Sequence, residues 1–183
     1  PDCGTHPLAL SISFFSSRNV AKMLVPSRGK HDGLIAELES RLAADDSAHK
    51  EECEQLVFDI GETEKSLHRF FMKIGKKIQK NKIGKSGLVY TKGILAEYDV
   101  DPKGVFEQFA AMKARADKLF AELAGIEACR DLVKDAYGCV DELNRFIQDF
   151  EFLVKAGRSD WVFYLEEPFN PHTLKMLAYP LHS

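Results

Sequence analysis

The chain has 183 residues, 45% hydrophobic and 29% charged, with a formal net charge of −3. That is the composition of a globular protein with a core of its own, at a length suited to one domain. No run of about 18 apolar residues occurs, which excludes a membrane-spanning helix, and the opening residues lack the basic-then-apolar pattern expected of a signal peptide.

The elements follow in chain order. Ser16 or Ser17 is placed to cap a short helix through "RNVAKML", which Pro26 ends. A second helix runs through "HDGLIAELESRLAA", with Leu34, Leu38 and Leu42 on one stripe. Ser47 is placed to cap a long third helix from about Ala48 to Lys80. Its apolar positions, from Cys53, Leu56, Val57 and Ile60 to Leu67, Phe70, Phe71, Ile74 and Ile78, follow the i, i+3, i+4, i+7 pattern. Gly61 weakens it locally and marks a position where it could bend. At 1.5 Å per residue it spans about 50 Å.

"DPKG" opens a fourth helix with Pro102 in its first turn and a near-heptad stripe of Val105, Phe109, Met112, Ala116, Leu119, Leu123 and Ile126. A fifth, from about Ala128 to Ala156, repeats it with Leu132, Ala136, Cys139, Leu143, Phe146, Phe150 and Leu153. These aromatic stripes read as bundle core, and a short turn near Gly125 makes the two helices an antiparallel hairpin. The tail changes character. "DWVFYLEE" is aromatic and β-branched, hence a strand; "PFNP" is a turn, and "TLKMLAYPL" a second extended segment. The expected fold is mainly α, an elongated helical bundle with long antiparallel helices and a short two-strand element near the C-terminus. One domain is expected over 1–183, with 160–183 as the strand segment.

Chemistry-bearing patterns are sparse. Cys3, Cys53, Cys129 and Cys139 lie 50, 76 and 10 residues apart, a spacing that matches neither zinc nor iron–sulfur sites. Cys53 and Cys139 fall on apolar helix faces and read as small reduced hydrophobes. His49 and Cys53 stand four apart, but two ligands do not make a metal site. No Ser–His–Asp set and no H-E-x-x-H motif occurs, so no catalytic residue and no metal ligand is assigned. The acid pairs Asp45-Asp46, Glu51-Glu52 and Glu166-Glu167 read as solvated surface.

Gly84-Lys85-Ser86 has the ending of a phosphate-binding loop. Such a loop needs a first glycine five residues earlier, so that its backbone can curl around the phosphates, and it needs a strand before it and a helix after. The position is occupied by Gln79, and the preceding residues have helical periodicity. The chain is therefore expected to carry no ATP site of its own.

The charge distribution is more informative. Residues 62–92 hold nine basic and two acidic side chains, between acidic flanks. Within that block Lys73, Lys76, Lys77, Lys80, Lys82 and Lys85 place six lysines in thirteen residues. On a helix the first four share a face opposite Phe70, Ile74 and Ile78. A lysine face followed by a Gly/Lys/Ser loop suits sequence-independent contact with a phosphate backbone. The same residues also read as a solvated helix end whose cations complement the C-terminal dipole.

The tail "DWVFYLEEPFNPHTLKMLAYPLHS" resembles a boundary in the DinG-like helicases, relatives of the XPD-type iron–sulfur helicases. There a long helical insertion ends in a Trp-containing strand, followed by a segment leading into the second motor domain. Trp161, Val162, Tyr164 and Glu166, then Leu177, Pro180 and Leu181, carry the similarity. "SISFFSSRNVAKML" and the long helices are similar in kind. The resemblance implies an arch-like insertion domain of an ATP-dependent DNA helicase, lying over the path of the translocating single strand. Its partners would be single-stranded or forked DNA, bound weakly, and the motor domains of its own parent chain, with no membrane. ATP and Mg²⁺ would belong to the parent, with Walker A and the acidic box before Pro1 and the final arginine motif after Ser183. The opening "PDCGTHPL" and the apolar close are expected of such an excised piece, in a cytoplasmic protein. The four cysteines do not match a cluster quartet. An independent helical module that docks a protein partner is the alternative.

Overall fold

The computed structural model describes residues 10–13, 33–80, 87–91, 94–97, 99–166 and 174–181, with backbone only at 78–80, 87–88 and 94. The elements are β1 (Leu10–Ser13), α1 (Leu34–Ser40), α2 (Ser47–Lys80), β2 (Gly87–Tyr90), α3 (Ile94–Glu97), α4 (Lys103–Leu123), α5 (Arg130–Lys155), β3 (Trp161–Glu166) and β4 (Lys175–Pro180). A 3₁₀ turn, Glu127–Cys129, precedes α5. The protein is mainly helical with one antiparallel sheet. The short helix expected through "RNVAKML" lies outside the described residues.

The chain divides into two compact units. One takes in residues 17–66 and 104–145, the other 1–16, 67–103 and 146–183.

The first unit is all helix. Its core follows the stripes expected from periodicity, with Leu38 and Leu42 near α1, Cys53, Leu56 and Ile60 on α2, Val105 to Leu123 on α4, and Leu132 to Leu143 on α5; in α1 it is Ile35, not Leu34, that is buried beside Leu38. The α4–α5 connection is short. Backbone bonds from Ala124 to Phe120 O, Gly125 to Glu122 O and Ile126 to Leu123 O close the end of α4. The chain then doubles back, and Phe120 meets Tyr137 edge to face with ring centroids 5.7 Å apart. The helix expected from Ala128 begins as a 3₁₀ turn and becomes α at Arg130. Arg41 Nη1 donates to Ala128 O at 3.2 Å, and Cys129 Sγ lies 3.9 Å from Leu38 O, so α1 is tied to that turn.

The second unit holds the sheet, in the order β1-β4-β3-β2 with every neighbour antiparallel. The tail strands read from the sequence are its two central ones, and β1 and β2 add one to each side. Successive residues of a strand point to opposite faces. Phe163, Leu165, Met176, Ala178, Ile12 and Tyr90 therefore form one buried face. The ends of α2 and α5 supply Leu67, Phe70, Phe71, Ile74, Phe146, Phe150 and Leu153 to the same core. Phe152 sits edge-on to Trp161 at 5.1 Å, and Tyr90 Oη donates to Leu153 O at 2.6 Å, fixing α5 to β3 and β2.

One local expectation is corrected. The cap of α2 is Asp46, not Ser47, because Asp46 Oδ1 accepts the His49 N–H at 3.2 Å. An aspartate also suits the positive end of the helix dipole. The segment "GLVY", assigned no element above, is β2. Gly61 lies within an uninterrupted α2.

Candidate nucleic-acid interface

The lysine block ends the longest helix. Phe70, Phe71 and Ile74 of α2 are buried, so the spacing of three and four residues turns Lys73 and Lys76 outward. Both are exposed and Lys77 is half-buried. No carboxylate among the described residues is ion-paired with any of the three. Lys80 closes the helix backbone; its side chain, with Lys82 and Lys85, lies outside the described residues. The structure thus brings Lys73, Lys76 and Lys77 together at one helix end, with their charges directed to solvent.

Residues 81–86, which include the Gly-Lys-Ser triplet, follow α2 and precede β2. That order, helix then strand, is the reverse of the strand–loop–helix that cradles a nucleotide's phosphates. An open cleft of about 440 Å³ beside α3 does not replace it, because Asp99 and Asp101 line it and would repel a phosphate. Its Lys155 is already held by Glu151. Neither that order nor that cleft offers a cradle for phosphates.

The cysteines behave as packing groups. Cys53, Cys129 and Cys139 are free and buried, and burial pushes the Cys53 thiol up to about 12. It therefore stays protonated and unreactive. Among the described residues no group of three His, Cys, Asp or Glu side chains could hold a metal ion. No helix among them is long and apolar enough to cross a membrane.

Two polar networks escaped the sequence reading, which took Asp46 and Glu52 for solvated surface and did not single out Asp59 or Glu122. Asp59, only 9% exposed, accepts from Arg115 Nε at 2.6 Å and from Gln55 Nε2 at 3.1 Å. Arg115 Nη1 also reaches Glu52 Oε2 at 3.4 Å, joining α4 to α2. The second network is a clasp, in which His49 Nδ1 lies 2.7 Å from Asp46 Oδ2 and Nε2 lies 3.2 Å from Glu122 Oε2. Hydrogen bonding to Asp46 raises the His49 pKa, with Glu122 adding to it. No short motif announces either network, since the partners stand 56 and 73 residues apart.

The clasp has a pH signature. A folded-state pKa raised above about 6.5 adds stability that is fully present below that value. It is lost as pH rises through the folded pKa. The thermal midpoint of the wild type should therefore fall, relative to that of His49→Gln, as pH is raised from about 6 to 8. A constant difference between the two proteins across that range would show that folding does not raise the His49 pKa.

Taken together, these features define a mainly helical protein with a four-stranded antiparallel sheet and a cationic helix end. No family model matches the chain, and no curated protein or solved structure matches it.

Proposed function

We propose that this chain is the helical accessory domain of a DinG-like ATP-dependent DNA helicase and contacts single-stranded DNA during unwinding. The observation that carries the proposal is the outward lysine face of α2, where Lys73 and Lys76 are exposed and Lys77 is half-buried, with no paired carboxylate. The resemblance of the β3–β4 tail to the strands leading into a second motor domain supports the helicase setting. Lysine is a hydrated point charge, so contact with phosphates would hold a strand without reading its sequence. ATP and Mg²⁺ would be bound by the parent chain's motor domains, which would also supply most of the DNA contacts. On this reading the protein works in the cytoplasm.

Counterion release sets the size of the test. Each phosphate neutralised on a single strand contributes a slope of about 0.7 in log K against log salt. Three lysines give about 20-fold weaker binding between about 50 and 200 mM salt, and all six give about 300-fold. Fluorescence anisotropy with labelled single-stranded DNA reads this directly. Changing Lys73, Lys76 and Lys77 together to Glu should abolish the binding. A wild type that does not bind at about 50 mM salt, or binds with no salt dependence, would sink the proposal.

One observation favours a second reading, a module that docks a protein partner. Phe58 is 60% exposed on α2 beside Val57 at 36%, and exposed apolar neighbours on one helix surface mark a contact surface.

A further inference from the structure

The sheet has a second face, pointing away from the core that α2 and α5 fill. An antiparallel sheet with one solvated face ordinarily carries polar residues there. This one is apolar and aromatic. The register sets Val89, Tyr164 and Leu177 in one row across β2, β3 and β4, and Val162 beside Tyr179 in the next. Val89 is 58% and Tyr179 37% exposed, and the other three are half-buried. Tyr164 and Tyr179 are diagonal neighbours on adjacent strands, about 7–8 Å apart. Among the described residues neither ring stacks on another ring, and neither hydroxyl is hydrogen-bonded. Exposed Lys175 stands on the same face, across from Glu166.

We propose that this face is a stacking platform for single-stranded DNA, with one base on Tyr164 and the next on Tyr179. The inference rests on the single-strand reading above and concerns the part of the ligand that lysine cannot hold. Every base has a π-face, so stacking on two open rings grips a strand without selecting its sequence. Outward aromatic rings on a four-stranded sheet hold two or three bases in this way. Charge favours the same ligand. The unit that carries the sheet has twelve basic and nine acidic residues, whereas the helical unit has thirteen and nineteen. A polyanion is therefore drawn to the sheet unit. A folded protein partner fits less well, because stable interfaces use about 20–30 residues a side, and this patch is five side chains, three of them half-buried. Lys73 and Lys76 leave α2 on its side away from the core, so the platform and the lysine end are separate contacts.

Fluorescence anisotropy on the 183-residue chain tests the platform with two labelled strands of equal length, one of them abasic. Losing both stacks should make the abasic strand bind at least about 25-fold more weakly, about 5-fold for each base. Tyr164→Leu and Tyr179→Leu keep an apolar surface but lose the ring. Each should weaken binding of the normal strand at least about 5-fold, while Tyr→Phe at either position retains it. The slope against salt should not change, since no phosphate contact is lost. An unchanged thermal midpoint confirms the fold of the variants, and the abasic comparison uses the unaltered chain. An abasic strand that binds as tightly as the normal one, or leucine variants that bind like the wild type, overturns the platform and leaves the lysine contact standing. Failure of the wild type to bind either strand at about 50 mM salt overturns the single-strand reading and the platform with it.

Discussion

Replacing Phe150 by alanine is expected to cost about 4 kcal/mol of folding stability, the largest single effect in the sheet unit. Phe150 is fully buried. Its ring meets Phe70 edge to face at 5.2 Å and lies parallel to Phe146 at 6.5 Å, so it joins the ends of α2 and α5. Removing it takes away the ring's transfer free energy and two aromatic contacts, and leaves a cavity that helices fixed at both ends cannot fill. A domain's whole stability is about 5–15 kcal/mol. For a chain of this size the loss corresponds to a fall of about 8–16 °C in the thermal midpoint. Leucine at the same position keeps most of the volume and should recover much of the loss. A fall below about 2 °C for the alanine variant would mean that the aromatic cluster is not the core of that unit.

Arg115→Ala is expected to cost about 2 kcal/mol, by a different route. The arginine itself is only partly buried, its side chain 34% exposed, so losing its own packing matters little. The cost falls on Asp59, left with Gln55 as its remaining side-chain partner in a site where its carboxylate is 13% exposed. A stranded carboxylate is far more expensive than a lost surface pair, because water cannot replace the guanidinium fully. Asp59→Asn alone removes the charge but keeps a hydrogen-bonding group. In the Arg115→Ala background it should therefore be stabilising, whereas in the wild type it should be destabilising. Urea denaturation of the two single variants and the double variant measures that change of sign. Additive effects would show that Arg115 and Asp59 are not coupled.

These two sites differ in how readily the sequence discloses them. Phe150 was legible, because it sits on a stripe of period 3.6 that runs from Leu132 to Leu153 and the structure buries every member of it. The boundaries of α2 and α4 were legible within a residue or two for the same reason. The Asp59–Arg115 pair was not. Nothing local separates Asp59 from its solvated neighbours; only the packing of α4 against α2 makes it buried and supplies its counter-charge.

The lysine block lies between these cases. Its composition and its position on an amphipathic helix were readable, and the structure turns Lys73 and Lys76 outward as the spacing requires.

The sequence by itself determined the long helices, the hairpin turn near Gly125 and the two tail strands, because each rests on local periodicity and turn chemistry. Tertiary structure alone decided the sheet. Four residues of "LSIS" or "GLVY" are too few to show alternation, and they are strands because β4 and β3 offer them a ladder. The pairing of Leu10 with Ala178 spans most of the chain, and that of Tyr90 with Phe163 joins residues far apart in sequence. Such partners are set by backbone hydrogen bonding and burial across the fold, and short-range sequence does not encode them.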